Sequence, residues 1–279
     1  MRSKIQGTFY LKPTLIALFL FFTVFFMLKL NDLLTSPLSN NYSERQSSSS
    51  HCTKIPEFLA DTIIHYTTSS ITPQQKLKEI NVTARVLREK SPCNFLVFGL
   101  GHDSPMWSAL NYGGRTVFLE EDGDWIETVR LKFPTLESYH VTYDTKVRDA
   151  EELLGMAGLP ACTTVGDVRS SRCVLALRSL PEVVYEREWD VIMVDAPTGY
   201  QPGAPGRMGA IYTAGMAARW RTEGRSTDVF VHDVNRYVED EFSKKLLCEG
   251  YMRQEEGILR HFTIPSHRGA TNMGKTFCP

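Results

Sequence analysis

Four short apolar segments, each rich in Val, Ile, Leu and Phe, recur along the chain and determine the predicted fold. They are NFLVFGLG (94–101), RTVFLEED (115–122), WDVIMVDAP (189–197) and TDVFVHDVN (227–235). Their hydrophobicity is continuous rather than alternating, which is typical of parallel strands covered by helices on both faces. The alternating segment ESYHVTYDT (137–145) is a fifth strand candidate, nearer the edge of the sheet.

Segments with helical periodicity separate these strands. Apolar residues recur at helical spacing in 72–90, with Thr72 as the expected N-cap before a proline, and again in 104–113 and 124–133. Near the end of the sequence, YMRQEEGILRHFTI (251–264) predicts two antiparallel strands about a short turn. Together these elements predict an α/β fold with a doubly wound, mostly parallel sheet and a reversed last strand.

An uncharged apolar segment, PTLIALFLFFTVFFML (13–28), precedes all of these elements. It is slightly shorter than the roughly 20 residues that cross an average bilayer. No small-x-small cleavage site follows it, which favours a signal-anchor over a cleaved signal peptide. Arg2, Lys4 and Lys12 precede the segment and Lys29 follows it, which indicates a cytoplasmic N-terminus. We therefore expect a type II membrane anchor.

The sequence after this segment is rich in Ser and Asn and lacks apolar periodicity, as is typical of a flexible stem. We expect a cytoplasmic tail (1–12), a transmembrane signal-anchor (13–34), a luminal stem (35–70) and a luminal folded domain (71–279). In a luminal location, Asn41 in NYS and Asn81 in NVT are N-glycosylation acceptors.

The six cysteines suit an oxidising compartment. No CxxC pair is present, so a thiolate zinc site is not expected. Six cysteines allow 15 pairings, and the only pair that we predict is Cys162 with Cys173, which bracket a loop-like segment. For Cys93 or Cys248 the alternative is a buried free thiol.

The charge of the chain is nearly balanced, with a formal net charge of −1 and 23% charged residues. Such a chain has no strongly basic field to release counterions, which argues against nucleic acid as its main partner. The 42% apolar content is sufficient for a folded core.

The first two strands end in residues that favour a nucleotide-like ligand. Gly99 and Gly101 let the backbone turn closely against a ligand, although Ser104 replaces the third glycine of the dinucleotide pattern. Glu120 follows about 20 residues later, where a carboxylate accepts hydrogen bonds from ribose hydroxyls. The alternative for Glu120 is a solvated acidic loop. S-adenosylmethionine suits a sheet with a reversed last strand better than a nicotinamide cofactor, so hydride transfer has less support.

The two later strands end in polar residues directed at the same edge of the sheet. Asp195 follows one strand, and His232, Asp233 and Asn235 follow the other. These groups are candidates for a general base, or for a divalent metal ion held by Asp195, Asp233 and Asn235. The alternatives are a helix N-cap at Asp195 and a buried, hydrogen-bonded His232.

Several motifs resemble the plant glucuronoxylan 4-O-methyltransferase family, which includes the related arabinogalactan 4-O-methyltransferases. The motifs are CNFLVFGLGHDSPMW, GGRTVFLEED, FPTLESYHVTYDTKV, WDVIMVDAPTGY, GRMGAIYTAGMAAR, TDVFVHDVNR and LCEGYM. The resemblance implies a class I S-adenosylmethionine-dependent methyltransferase-like fold. It also implies that the protein is located in the Golgi membrane. It further implies methyl transfer to the 4-hydroxyl of glucuronic acid on an acidic cell-wall polysaccharide, glucuronoxylan.

By motif position, the resemblance implies that Gly99 and Gly101 line the methionine side of S-adenosylmethionine, that Glu120 holds its ribose and that Asp195 lies beside the sulfonium. A sugar hydroxyl is a poor nucleophile while protonated. We therefore expect Asp195 or His232 to take the proton, with Asp195 favoured and Asp233 orienting the pair or sharing a metal ion.

An acceptor that carries a carboxylate calls for an arginine, and Arg207 and Arg236 follow strand ends. Surface ion pairs are the alternative for both. Two alternatives remain for the function of the chain. One is the same chemistry on the glucuronic acid of arabinogalactan, and the other is a non-catalytic Golgi protein of xylan assembly.

Overall fold

The computed structural model describes residues 23, 24, 26, 27, 55–269 and 276–279. The chain divides into one unit that ends at Ile55, in which residues 23, 24, 26 and 27 are helical, and a second unit that begins at Pro56. No helix among the described residues is long and apolar enough to span a bilayer. Most of the predicted anchor (13–34) and the glycosylation candidate Asn41 lie outside the described residues.

The second unit is built on a seven-stranded sheet, counted over the described residues, in the order β3-β2-β1-β4-β5-β7-β6. Strands β1 to β5 are parallel, and β7 runs antiparallel to both β5 and β6. This confirms the predicted doubly wound sheet with a reversed last strand. The strands are β1 (Asn94–Phe98), β2 (Arg115–Glu120), β3 (Glu137–His140), β4 (Val191–Val194), β5 (Ser226–Val231), β6 (Met252–Glu256) and β7 (Leu259–Pro265).

Helices cover both faces of this sheet. They are α1 (Glu57–Thr68), α2 (Leu77–Lys90), α3 (Ser104–Leu110), α4 (Gly123–Lys132), α5 (Ala150–Met156), α6 (Pro160–Thr163), α7 (Glu182–Glu186), α8 (Met208–Arg219) and α9 (Tyr237–Phe242). In β1, Phe95 and Val97 join an apolar cluster with α2, α3 and α4, whereas Leu96 and Phe98 join a second cluster with α5, α7, α8 and α9. Both faces of the strands are therefore buried, which explains their continuous hydrophobicity.

The folded unit begins earlier than the sequence predicted. Helix α1 lies inside the predicted stem (35–70), and the compact unit already includes Pro56. The ring of His65 packs edge-on against Phe133 after α4, with ring centroids 5.0 Å apart. Thr62 is the buried residue of this helix. Because so little of α1 is buried, its apolar pattern is too weak to reveal it in the sequence.

Helix α2 begins at Leu77 and not near the predicted N-cap Thr72. The Glu79 carboxylate accepts a hydrogen bond from the Lys76 backbone N–H at 2.6 Å, which closes the first turn. The preceding residue, Gln75, is buried and faces the sheet. The backbone bends at Gln75 and the residue before it, so the helix starts only after this bend.

The predicted disulfide between Cys162 and Cys173 is confirmed, and a second disulfide joins Cys248 to Cys278. The alternative of a free thiol is therefore wrong for Cys248 and correct for Cys93, which is buried and unpaired. The second glycosylation candidate, Asn81, lies on the exposed side of α2.

A buried ionic cluster fixes the reversed strand against the parallel part of the sheet. Asp228 of β5 accepts hydrogen bonds from His261 Nε2 (2.8 Å) and Thr263 Oγ1 (2.7 Å) of β7, and it pairs with Lys90 of α2. Burial alone raises the pKa of Asp228, but these donors outweigh it and lower that pKa to about 2.

We predict that Asp228→Asn lowers the free energy of unfolding at pH 7 by about 2 kcal/mol. The folded-state pKa of Asp228 lies below its unfolded value, so its contribution is present above about pH 4 and is lost as the pH falls through about 2. The difference between wild type and variant in urea denaturation should therefore shrink over that interval. Asp144→Asn, at an exposed position, is the control. A difference that stays constant from pH 7 to pH 2 contradicts the prediction.

Candidate active site

A cleft of about 400 Å³ lies at the carboxyl ends of the parallel strands. This is the edge at which doubly wound sheets bind their ligands. Of the predicted site residues, its lining contains Gly99, Gly101, Glu120, Asp195, Arg207 and Arg236. His232 and Asp233 lie behind the lining as buried groups, and Asn235 is exposed.

The turn after β1 forms the floor of the cleft. Gly99 has a φ of 124°, a backbone conformation that favours glycine, and a Cβ at this position would make ordinary contact with Cβ of Ala196 at 3.4 Å. The Gly101 N–H donates to Ser104 Oγ at 2.9 Å. Ser104, which replaces the third glycine of the dinucleotide pattern, therefore stabilises the turn from the start of α3.

Glu120 ends β2 with its carboxylate held in a fixed orientation. Oε2 accepts from the Leu100 N–H (2.9 Å), and Oε1 accepts from the N–H groups of Glu121 (2.8 Å) and Asp122 (3.0 Å). Burial raises the pKa of Glu120, although these backbone donors oppose the shift. A carboxylate offers about four lone-pair sites, so capacity remains for hydroxyl donors in the cleft.

Asp195 ends β4 and is held by two cationic side chains. Its Oδ1 lies 3.1 Å from His232 Nδ1 and 3.2 Å from Arg207 Nη1. Its Oδ2 accepts a hydrogen bond from Gln75 Nε2 at 3.2 Å. Burial alone raises the pKa of Asp195, but His232 and Arg207 outweigh it and lower that pKa. The carboxylate is therefore ionised, and a fifth of the side chain remains exposed.

His232 is a buried cation in this arrangement. Its Nδ1 lies 3.1 Å from Asp195 and 3.6 Å from Asp233, and its Nε2 lies 3.7 Å from Glu79, which also accepts a hydrogen bond from the Ile258 N–H at 3.0 Å. Burial lowers the pKa of His232, but the hydrogen bonds and charges of the two aspartates raise it to about 10. The His232 side chain is 2% exposed and both its ring nitrogens face carboxylates, so the geometry places it to hold Asp195 and not to contact a hydroxyl in the cleft.

Arg207 is not placed as predicted, because it does not present a free guanidinium to a substrate carboxylate. Its side chain is 4% exposed and contacts Asp195 Oδ1 (3.2 Å), Asp233 Oδ2 (2.8 Å) and Glu239 Oε1 (3.6 Å). It also donates to the carbonyls of Pro197 and His232. Since these partners occupy its donors, Arg207 acts as an internal cation of the site and not as a free clamp for a substrate carboxylate.

Arg236 occupies a different position, at the mouth of the cleft. Its side chain is 32% exposed, and its Nη2 pairs with Asp233 Oδ2 at 2.8 Å. Its Nη1 donates to the Thr198 carbonyl at 3.0 Å, and the Thr198 backbone N–H and hydroxyl in turn donate to Glu121. Asp233 itself has a positive φ of 62°. The loops after β2, β4 and β5 are thereby linked around the cleft.

The predicted metal ligands differ in burial. Asp195, His232 and Asp233 place ligand atoms within 4.8 Å of one another and are partly or fully buried, whereas Asn235 is exposed. The carboxylates of Asp195 and Asp233 are already neutralised by Arg207 and His232. A divalent ion here would face a buried guanidinium at hydrogen-bond distance, so the arrangement does not fit a metal ion.

Asp103, Gln75 and Glu79 are among the cleft or near-cleft residues that were not predicted from the sequence. Asp103 lines the cleft and accepts a hydrogen bond from Trp107 Nε1 at 2.8 Å; burial and the charge of Asp195 raise its pKa to about 6. Gln75 and Glu79 come from the segment before β1. The position of Asp103 directly after the glycine turn was a sequence signal that could have identified it. Gln75 and Glu79 follow no strand, so the sequence contained no comparable signal for them.

The strand order, the reversed β7, and a cleft with a glycine turn after β1 and a carboxylate ending β2 define a class I methyltransferase-like fold. The sequence profile described as IRX15/IRX15L/GXM matches residues 78–262. The chain belongs to this family.

Three relatives in Arabidopsis thaliana illustrate the similarity. Glucuronoxylan 4-O-methyltransferase 1 is 57% identical over all of both chains. Arabinogalactan O-methyltransferase 2 is 49% identical over 78% of this chain and 76% of the relative. Protein IRREGULAR XYLEM 15 is 35% identical over 82% of this chain and 70% of the relative.

We predict that Arg207→Met lowers the free energy of unfolding of the full chain by about 3 to 5 kcal/mol, because removing a buried cation leaves its carboxylates unpaired. Arg236→Met is the matched control. Its partly exposed ion pair should contribute about 1 kcal/mol or less. Urea denaturation at pH 7 measures both changes. Equal losses in the two variants would show that Arg207 is not the internal cation described above.

Proposed function

We propose that the chain transfers a methyl group from S-adenosylmethionine to the 4-hydroxyl of glucuronic acid residues on glucuronoxylan. The observation that carries the proposal is that the glycine turn, Glu120 and Asp195 line one cleft at the switch edge of the sheet. The full-length similarity to the xylan-modifying relative supports the choice of acceptor.

The donor half of the cleft suits a nucleoside with a charged tail. Gly99 and Gly101 allow the backbone to approach the methionine portion. Glu120 presents a fixed carboxylate to the ribose hydroxyls. Asp103 and Asp195 add negative charge to the same lining, which favours the cationic sulfonium and ammonium groups of the donor. S-adenosylmethionine, when bound, supplies the methyl group from its sulfonium.

The chain's own contribution is to hold the acceptor hydroxyl in line with that methyl group, which can contribute several kcal/mol. Asp195 accepts the hydrogen bond of the hydroxyl and then its proton. Its lowered pKa is compatible with this role, because an oxygen becomes strongly acidic as its new bond to carbon forms. His232 and Arg207 fix the carboxylate by holding Oδ1, which leaves Oδ2 as the oxygen less occupied by cations.

At the acceptor half of the cleft, the described lining residues include an accessible cation, Arg236. Arg236 lines the cleft mouth, is partly exposed and is oriented by Asp233 and the Thr198 carbonyl. The exposed ring of Tyr200 lines the same mouth. We propose that Arg236 pairs with the glucuronic acid carboxylate, since guanidinium groups bind carboxylates with good geometry.

The test is methyl transfer from labelled S-adenosylmethionine by the purified full chain to glucuronoxylan and, in parallel, to arabinogalactan. We predict transfer to glucuronoxylan, and we expect Asp195→Asn to lower kcat by at least about 100-fold, in line with the loss of a general base. Donor affinity measured by calorimetry should fall by much less than kcat, because Asp195 supplies only part of the negative charge of the lining. Transfer to arabinogalactan alone would reassign the acceptor. Donor binding without transfer to either polymer would favour a non-catalytic role in xylan assembly.

The same assay examines the acceptor subsite. Arg236→Met should raise KM for the acidic polymer about ten-fold or more and leave the donor Kd unchanged, because a charge-assisted hydrogen bond is worth about 1.5 to 3 kcal/mol. An unchanged KM would remove Arg236 from the acceptor site.

We propose further that the chain is a single-pass type II protein of the Golgi membrane with its folded domain in the lumen. The uncharged segment 13–28 supports this topology, and the two disulfides suit an oxidising compartment. Asn81 is exposed and available to a glycan. In isolated membranes, we expect protease to leave the folded domain intact until detergent is added. Digestion without detergent would place the domain on the cytoplasmic side.

A further inference from the structure

We infer that the segment from Pro56 to Lys76, which precedes the family-matched residues 78–262, is a positioning element of the cleft. Within it, Tyr66 holds the glycine turn and Gln75 holds the catalytic carboxylate Asp195. The inference rests on the proposed function for the identity of the donor. It goes beyond that function because it gives a positioning role to two residues of a segment that the sequence analysis placed partly in a flexible stem.

The glycine turn is held from outside by two aromatic donors. Trp125 Nε1 donates to the Leu100 carbonyl at 2.5 Å, and Tyr66 Oη donates to the His102 carbonyl at 2.6 Å. A segment that contains glycines has large conformational freedom of its own. External donors on both sides of Gly101 therefore reduce the freedom that the donor molecule would otherwise have to remove on binding.

Helix α1 is attached firmly enough to act in this way. His65, next to Tyr66, packs edge-on against Phe133, and Phe58 borders the core cluster beneath α2 to α4. The ring of His102 packs edge-on against Trp125, with centroids 5.1 Å apart, so the two external donors brace the same residue. Burial raises the pKa of Tyr66, and its hydroxyl remains a donor at neutral pH.

Gln75 completes the contacts of Asp195. Oδ1 of Asp195 is held by His232 and Arg207, and Gln75 Nε2 donates to Oδ2 at 3.2 Å. A neutral amide orients this oxygen without cancelling its charge, as a third cation would. The orientation of the oxygen that meets the acceptor hydroxyl is thus set by a residue outside the family-matched region.

The amide of Gln75 is also destabilising at its buried position, and packing alone does not explain why an amide is found there. The side chain is 3% exposed, and its Oε1 has no hydrogen-bond partner among the described residues. A buried carbonyl oxygen without a donor is destabilising, and an apolar side chain of similar size avoids that penalty. A role in orienting Asp195 accounts for an amide at this position.

The first test is Tyr66→Phe in the full chain, which removes one hydroxyl and keeps the ring. We expect the Kd and KM for S-adenosylmethionine to rise about five-fold, the fold-change that corresponds to one ordinary hydrogen bond, and kcat to stay within about two-fold. Tyr112→Phe, at an exposed tyrosine, is the matched control and should leave both constants unchanged. Equal donor affinity in the wild type and Tyr66→Phe would overturn the assignment of Tyr66.

The second test is Gln75→Leu, which removes the amide and keeps the approximate volume. We expect kcat to fall at least ten-fold, donor Kd to stay within two-fold, and Tm to stay the same or rise. A purely structural role predicts the reverse, a lower Tm with kcat retained, and that result would overturn the assignment of Gln75. Gln254→Leu on β6, away from the cleft, is the control.

Calorimetry on the wild-type chain distinguishes a failure of the proposed function from a failure of the positioning role. If the wild-type chain binds no S-adenosylmethionine in calorimetry, the proposed function is wrong. If the wild type binds the donor and transfers methyl groups, but Tyr66→Phe and Gln75→Leu behave like it, only the positioning role is wrong.

Discussion

The site depends on one buried guanidinium. Arg207 follows β4 in the chain and lies among the carboxylates of Asp195, Asp233 and Glu239. It also donates to a backbone carbonyl after β4 and to another after β5. Charges removed from water are costly unless they are paired and hydrogen-bonded. Arg207 therefore ties the segments that follow β4 and β5 to each other beside the cleft.

Around this cation, buried cations lie behind the cleft and carboxylates line it. His232 and Arg207 lie beneath the surface and neutralise the inner acids, whereas Asp195, Glu120 and Asp103 present oxygen atoms to the cleft. The buried cations keep Asp195 ionised in a location where burial alone would favour its neutral form. The accessible cation, Arg236, is placed at the mouth. Such an arrangement suits a cationic donor inside and an anionic acceptor at the entrance.

The sequence predicted the sheet well because its strands are covered on both faces, so that continuous apolar runs such as 94–98 and 191–194, with their Val and Ile content and short length, favoured central strands. It also located Glu120 and Asp195, because residues directly after such runs must reach the carboxyl edge. It could not assign Arg207 and Arg236 to different roles, since burial separates them and the pattern of neighbouring residues does not. Gln75 and α1 were missed because their contacts are made across long distances in sequence and involve few apolar side chains.

The Glu79 carboxylate connects the buried network to the last hairpin of the sheet, and this connection bears on the order of folding. Its Oε1 accepts from the Ile258 backbone N–H in the turn between β6 and β7, and the two partners are 179 positions apart in sequence. The other oxygen of Glu79 faces His232. Contacts of such large sequence separation form late, because the entropy cost of loop closure precedes them. We therefore expect the buried network around His232 to form only when the terminal hairpin docks, after the parallel strands have assembled.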